Sequence, residues 1–287
     1  FKEECRFGSD QMERAARLAL MEDIASRKLN TFVIALYGCW AVQYDGRPSE
    51  YLFLPLKNHP ELSTPKLVKY FSATQNKWIE TEDLPPIFRD NLLDEIFRTC
   101  RDMGIEVVPL WNSFGHNTFI PRNIPEISAV DENGVSQKNS FCTSRQETYD
   151  FLFSVYDQII DDYLTPYGMT SFNIGLDEVK GGIGKDPDDI FRMCEAWCQC
   201  PQCRGKDKGD IFIDFAVKLI AHLKDKGMKQ VFIACDMLDP KRAGGKQLGD
   251  VTDKLLKAVK DAGVEDTLVI SWWAYHNIPE KMQVRNL

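Results

Sequence analysis

Apolar positions along the chain fall into one recurring phrase: a helical stripe, a glycine, then a short apolar run. Leu92, Leu93, Ile96, Phe97 and Cys100 share a helical face that stops at Met103-Gly104, and IEVVPLW follows. Ile211, Phe215, Leu219 and Leu223 form a second stripe, followed by Gly227 and VFIACD. Leu255, Leu256 and Val259 form a third, followed by Gly263 and TLVISWW. Helical spacing closed by glycine predicts a helix and its stop. The β-rich runs that follow predict buried parallel strands.

Two further units have the same outline. Ser9 or Asp10 caps a helix through Lys28, with Met12, Ala16, Leu20 and Ile24 on one face, and TFVIALY follows as a strand. Ser144 with Glu147 has capping-box spacing. It opens a helix carrying Tyr149, Leu152, Phe153, Tyr156, Ile159 and Ile160, before the strand TSFNIGL. FKEEC reads as a first strand, which brings the total to about six β/α units.

Alternating β and α elements predict an α/β fold with a parallel sheet, either open and doubly wound or a (β/α)8 TIM-type barrel. Loop lengths favour the barrel. Helix-to-strand connections are short, whereas strand-to-helix connections are long, at about 38–86, 112–144 and 177–209. Long loops at the carboxyl ends of strands are where barrel enzymes build their sites. No G-x-G-x-x-G follows a strand and there is no P-loop, which argues against a nucleotide site. Residues 1–287 are expected to form a single barrel domain, incomplete at the C-terminus because six units fall short of eight.

Composition narrows the partners. The 287 residues are 44% hydrophobic and 27% charged, with a formal net charge of −8. Without a dense Lys/Arg run, neither nucleic acid nor an anionic membrane surface is an expected partner. No apolar stretch approaches the roughly 20 residues of a membrane helix. The chain begins with Phe1 and shows no signal-peptide pattern, so any targeting segment is expected to lie outside it. Cysteine usage leans toward a reducing, cytoplasmic setting.

The candidate chemistry is in FNIGLDEV, where an apolar strand runs into Asp177 and Glu178. Acids at a helix N-terminus are the bland alternative, but KGGIGKDP is a poor helix start. Two carboxylates at a strand end suit glycoside chemistry, in which one stays protonated to donate to the leaving oxygen.

FNIGLDEV resembles the H-x-G-G-D-E-[VA] signature of glycoside hydrolase family 20, the β-N-acetylhexosaminidases. VVPLWNSFGHNTFIPRNIPEI resembles the family's third-strand segment, and EECRFG with KLNTFVIAL resembles its opening. VFIACDML and VISWWAY resemble its later strands. The resemblance implies retaining, substrate-assisted hydrolysis of a terminal β-linked N-acetylhexosamine, with a carbohydrate or glycoconjugate as partner and no cofactor in the chemistry. It implies Glu178 as acid/base and Asp177 as the residue that orients the 2-acetamido group, whose oxygen attacks the anomeric carbon. Arg6 would grip sugar hydroxyls and His116 would support the acid; Asp236, from its position at a strand end rather than from the resemblance, is expected either to hydrogen-bond substrate or to cap a helix. Trp272 and Trp273 would stack on the sugar or wall the acetamido pocket, and Tyr275 would donate to the acetamido oxygen. Four positions depart from the pattern: Asn173 replaces the motif's His, Leu176 its second Gly, and Phe114 the Pro before Gly-His, while Ala234 stands near a frequent Trp. They leave open a retaining glycosidase of different sugar specificity. A non-catalytic carbohydrate-binding or scaffold barrel is the alternative from another class.

Nine cysteines complete the picture. Cys5, Cys39, Cys100, Cys142 and Cys235 are scattered at apolar positions and read as small core residues. Cys194, Cys198, Cys200 and Cys203 fall together in CEAWCQCPQC, tight enough to hold a structural zinc ion. Two disulfides are the alternative. So is a set in which Cys194 belongs to a helix face and the fourth ligand comes from elsewhere, such as a His.

Overall fold

The computed structural model describes residues 11–42, 48–63, 66–72, 75–83, 92–179, 196–242 and 244–273. Its principal sheet has six strands: β1 (Thr31–Val42), β2 (Pro48–Leu52), β5 (Glu106–Trp111), β8 (Ser171–Asn173), β9 (Gln230–Ala234) and β10 (Leu268–Ser271). They lie in the order β10-β9-β8-β5-β1-β2. The pairs β5/β8, β8/β9 and β9/β10 are parallel. From β1 through β5, β8 and β9 to β10, each strand is laid beside its predecessor in chain order. Only β2 breaks the progression: it follows β1 in the chain but lies on the opposite side of β1 from β5.

The helices predicted between the strands are present: α1 (Gln11–Ser26), α2 (Leu92–Asp102), α4 (Gln146–Ile159), α5 (Lys208–Asp225) and α6 (Thr252–Asp261), with a short α3 (Phe119–Asn123) in a loop. All five residues of the predicted α2 stripe are buried. In α5, Phe215, Leu219 and Leu223 are buried, and Asp207 caps the helix by accepting from the Asp210 amide. Gly104, Gly227 and Gly263 all have positive φ, the conformation that ends a helix with least strain in glycine.

Three expectations need correction. The inward face of α1 runs through Met21, while Leu20 is exposed. The run LALM is apolar around the whole turn, so its periodicity does not select a face. The loop predicted at 38–86 holds the end of β1, all of β2 and an antiparallel hairpin of β3 (Lys66–Ser72) and β4 (Lys77–Asp83). Likewise, 112–144 contains α3 and the hairpin of β6 (Ser128–Val130) and β7 (Ser136–Phe141). Finally, Ser144 does not head a capping box: its hydroxyl lies 3.0 Å from Cys203 Sγ. Thr148 Oγ1 instead donates to the Cys142 carbonyl at 2.8 Å near the start of α4. The segment FKEEC and the caps Ser9 and Asp10 lie outside the described residues.

The chain divides into two compact units. The described residues of the first fall within Phe1–Tyr37, Leu52–Pro109 and Ser154–Met169. Its core includes Phe97 against Tyr163, with ring centroids 5.6 Å apart, and Gln158 links the amide of Lys57 to the carbonyl of Pro55. The second comprises described residues of Gly38–Tyr51, Leu110–Phe153 and Thr170–Leu287. Phe114 packs edge-on against both Trp197 and Phe215 there, and Phe172, Val231 and Ile233 fill the sheet interior. Among the described residues, no helix is long and apolar enough to cross a membrane.

Candidate active site

The described candidate residues gather where four parallel strands end, all within the second unit. The ladder continues just past β8: Ile174 N–H donates to Phe232 O at 3.0 Å, and Ala234 N–H donates to Gly175 O at 2.9 Å. The backbone then turns sharply. Gly175, Leu176 and Glu178 all have positive φ, at 70°, 68° and 45°. A buried leucine in the left-handed region is a strained conformation, and it sits where the family signature has glycine. Asn173, in place of the signature's histidine, turns its side chain to the local backbone and accepts from Gly175 N–H at 2.9 Å.

The loop after β5 meets this turn closely. A Cβ on Gly115 would lie 1.8 Å from the Asp177 carbonyl oxygen, so only glycine permits the approach. Asn117, fully buried, holds the loop by donating from Nδ2 to the carbonyls of Asn112 and Gly115, at 2.8 and 3.0 Å. His116 follows Gly115 with φ 52°. Its Nε2 lies 3.2 Å from Asp177 Oδ2 and 3.4 Å from Glu178 Oε2. The two carboxylates, which would diverge on a regular strand, thus converge on one imidazole because the strand has ended in a left-handed turn.

Burial works against a charge on His116. Hydrogen bonding to Asp177 and Glu178, with their negative charges, outweighs it and raises the imidazole pKa to about 9. Asp236, just past β9, is buried, and its Oδ2 accepts the Glu178 backbone N–H at 2.8 Å. Burial raises its pKa, that hydrogen bond lowers it, and the charges of Asp177 and Glu178 raise it further. Asp236 therefore grips the backbone of Glu178, a relationship that neither alternative read for it from the sequence contained.

Past β10, Trp272 is 48% exposed and Trp273 is partly buried. The Arg242 guanidinium lies over both rings, 5.1 and 4.8 Å from their centroids, and donates to the Trp273 carbonyl. Arg242 carried no signal in the sequence, because only tertiary contact brings it to the tryptophans. Gln247 was missed for the same reason. Its Nε2 donates to the Val179 carbonyl at 3.2 Å, and its Oε1 accepts from Trp197 Nε1 at 2.9 Å. Arg6, Tyr275 and Cys194 lie outside the described residues.

Among the described residues, the cysteine cluster gains a member that the sequence did not place there. Cys142, Cys198, Cys200 and Cys203 place their sulfurs within 4.8 Å of one another, and all four residues are buried. Cys142 is therefore no scattered core residue. Fifty-eight positions separate it from Cys200, and no spacing rule reaches that far. Cys100 and Cys235, by contrast, are buried singly as expected.

An α/β sheet with an acid–base cluster at the carboxyl ends of its parallel strands defines a class of catalytic domain. The chain belongs to glycosyl hydrolase family 20: residues 51–280 match the family's catalytic domain. It is 26% identical over 130 residues to a lacto-N-biosidase of Bifidobacterium bifidum, covering 45% of this chain and 11% of that protein. Its fold is similar to that of a β-N-acetylhexosaminidase from Bacteroides fragilis, with a TM-score of 0.53, 19% identity, and coverage of 89% of this chain and 42% of that one. A second β-N-acetylhexosaminidase structure gives a TM-score of 0.53 at 19% identity, covering 90% of this chain and 51% of the other. The chain thus spans about half or less of the length of these relatives.

Proposed function

We propose that the protein is a retaining glycosidase that releases a terminal β-linked N-acetylhexosamine by substrate-assisted hydrolysis. The observation that carries this reading is the convergence of Asp177 and Glu178 on His116 at the end of β8, in a chain of family 20. Glu178 is the acid that protonates the glycosidic oxygen and then the base that activates water. Asp177 orients the 2-acetamido group and stabilises the positive charge that develops when its oxygen attacks the anomeric carbon. His116 sits between the two carboxylates and holds their relative position. The chemistry needs no cofactor: the substrate supplies the nucleophile, so the scheme departs from the usual pair of protein carboxylates.

The open face of Trp272 suits stacking on a sugar ring. Arg6 and Tyr275 are proposed to bind hydroxyls and the acetamido oxygen. The one-way progression of β1, β5, β8, β9 and β10 across the sheet, with β2 following β1 after a short connection, supports a single (β/α)8 barrel domain over the doubly wound alternative.

A panel of aryl β-glycosides with and without the 2-acetamido group tests the reading. Release only from N-acetylated substrates, with inhibition by a thiazoline analogue, is the expected result. Turnover of substrates lacking the group, with trapping of a protein carboxylate by a 2-fluoro sugar, would show an ordinary two-carboxylate retaining enzyme instead. Binding without turnover of any substrate would show a carbohydrate-binding domain.

A further inference from the structure

We infer that Cys142, Cys198, Cys200 and Cys203 bind one structural zinc ion that fastens the loop beyond Glu178 to the loop beyond β7. The geometry points to a metal rather than to disulfides or a packed thiol core. Cys142 Sγ lies 3.7 Å from Cys200 Sγ and 4.0 Å from Cys203 Sγ. Four sulfurs at about 2.3 Å from a tetrahedral zinc stand about 3.8 Å apart. A disulfide needs sulfurs at about 2.05 Å, and the four cysteines are free.

The surroundings are those of a thiolate site. Val130 N–H donates to Cys198 Sγ at 3.4 Å, and Cys200 N–H points to the same sulfur at 3.5 Å. Ser144 Oγ is 3.0 Å from Cys203 Sγ. Hydrogen bonds to sulfur stabilise metal-bound thiolates and orient them. Cys200 to Arg204 forms a tight turn closed by Cys203 N–H and Arg204 N–H on the Cys200 carbonyl, at 3.0 and 2.8 Å. Gln199 N–H bonds to Val130 O at 2.7 Å and docks the turn on β6. Four protein ligands close the coordination sphere, as a structural zinc site requires. An all-sulfur site would also suit a single iron, but glycoside hydrolysis moves no electrons and gives iron no task here.

The site has a path to the catalytic centre. Trp197 precedes the first ligand of the loop. Its ring packs on Phe114 at 5.2 Å, two residues before His116. Its Nε1 donates to Gln247, which in turn holds the carbonyl of Val179, next to Glu178. Zinc binding would therefore set the position of Trp197 and, through it, both loops that carry the acid–base cluster. The ligand set stands on the sulfur geometry alone; the choice of zinc over iron and this supporting role rest on the glycosidase reading.

Metal analysis of untagged protein, purified without chelator from zinc-supplemented cells, is the first test. About one equivalent of zinc is expected in the wild type and in Cys194→Ser, and about a tenth or less in Cys142→Ser. Cys142→Ser puts a hydroxyl at a buried position and is liable to fold poorly, so cobalt replacement in the wild type gives a second readout: a tetrahedral ligand-field spectrum with thiolate charge-transfer bands. Removing zinc with a chelator should lower the melting temperature, and adding zinc back should restore it. Any of four results overturns the assignment: wild-type protein without metal whose four thiols alkylate freely, a mass showing two disulfides, iron in place of zinc, or loss of metal in Cys194→Ser with retention in Cys142→Ser.

Discussion

The backbone amide of Glu178 donates to the buried carboxylate of Asp236 at 2.8 Å, so the strand after the acid pair holds the acid by its main chain. The bond crosses from the end of β8 to the end of β9, neighbours in the sheet. It fixes the left-handed backbone of Glu178, at φ 45°, which a free chain would leave. Asp236→Asn keeps an acceptor of the same shape, whereas Asp236→Leu leaves the amide buried and unpaired, at a cost of about 1–3 kcal/mol. Denaturant unfolding should place Asp236→Asn close to the wild type and Asp236→Leu well below it. The leucine variant should also lose kcat with little change in KM. Equal losses in both variants would mean that charge, not the amide contact, is what the position supplies.

Glu178→Gln should cut turnover of a substrate with a poor leaving group by about a hundredfold to ten-thousandfold, because the proton donor is gone. A substrate with an acidic aryl leaving group needs little protonation and should lose much less at the cleavage step. Steady-state kinetics on a series of leaving groups checks this. A uniform loss across the series would remove Glu178 from the acid role.

His116 predicts a pH dependence of stability. Its folded pKa of about 9 lies above the ordinary 6.5, so the folded protein holds the proton more tightly than the unfolded chain does. The stabilisation is complete below the unfolded value, fades above it, and is lost as pH rises through about 9. The melting-temperature gap between the wild type and His116→Gln should accordingly be widest at mildly acidic pH and narrow on the alkaline side. A gap that stays constant across that range would show that folding leaves the His116 pKa unshifted, and a gap that narrows toward acidic pH would show that His116 is neutral in the folded protein.

Leu176 offers a test of strain against packing. Its side chain is fully buried, yet its φ is 68°. Removing a buried leucine side chain costs about 2–5 kcal/mol, while a left-handed conformation costs a non-glycine residue about 1–2 kcal/mol. Leu176→Gly and Leu176→Ala should both be destabilised, with the glycine variant the more stable of the two. That reverses the usual order, in which glycine is worse than alanine by about 0.5–1 kcal/mol. Urea midpoints for the pair decide it, and the ordinary order would show that the turn relaxes when the side chain is lost.

What could be read along the chain was whatever local periodicity and short motifs encode. The α2 and α5 stripes, the glycine stops and the apolar strands between them are set by interactions over a few residues, so hydrophobic spacing places them. FNIGLDEV and the Gly-His pair were legible for the same reason: each lies at a strand end within a few residues of sequence. Folding alone decided which of these distant segments meet. Asp236 reaches Glu178 across 58 positions, and Gln247 reaches Val179 across 68. Cys142, which looked like an isolated core thiol, joins three cysteines from a loop beyond the next strand. A parallel sheet is the physical cause. Each crossover carries the chain through a whole helix before the next strand lies beside the last, so residues that share a strand edge are necessarily far apart in sequence. Periodicity can place residues at strand ends, but the side chains that complete the site are chosen by pairing between strands.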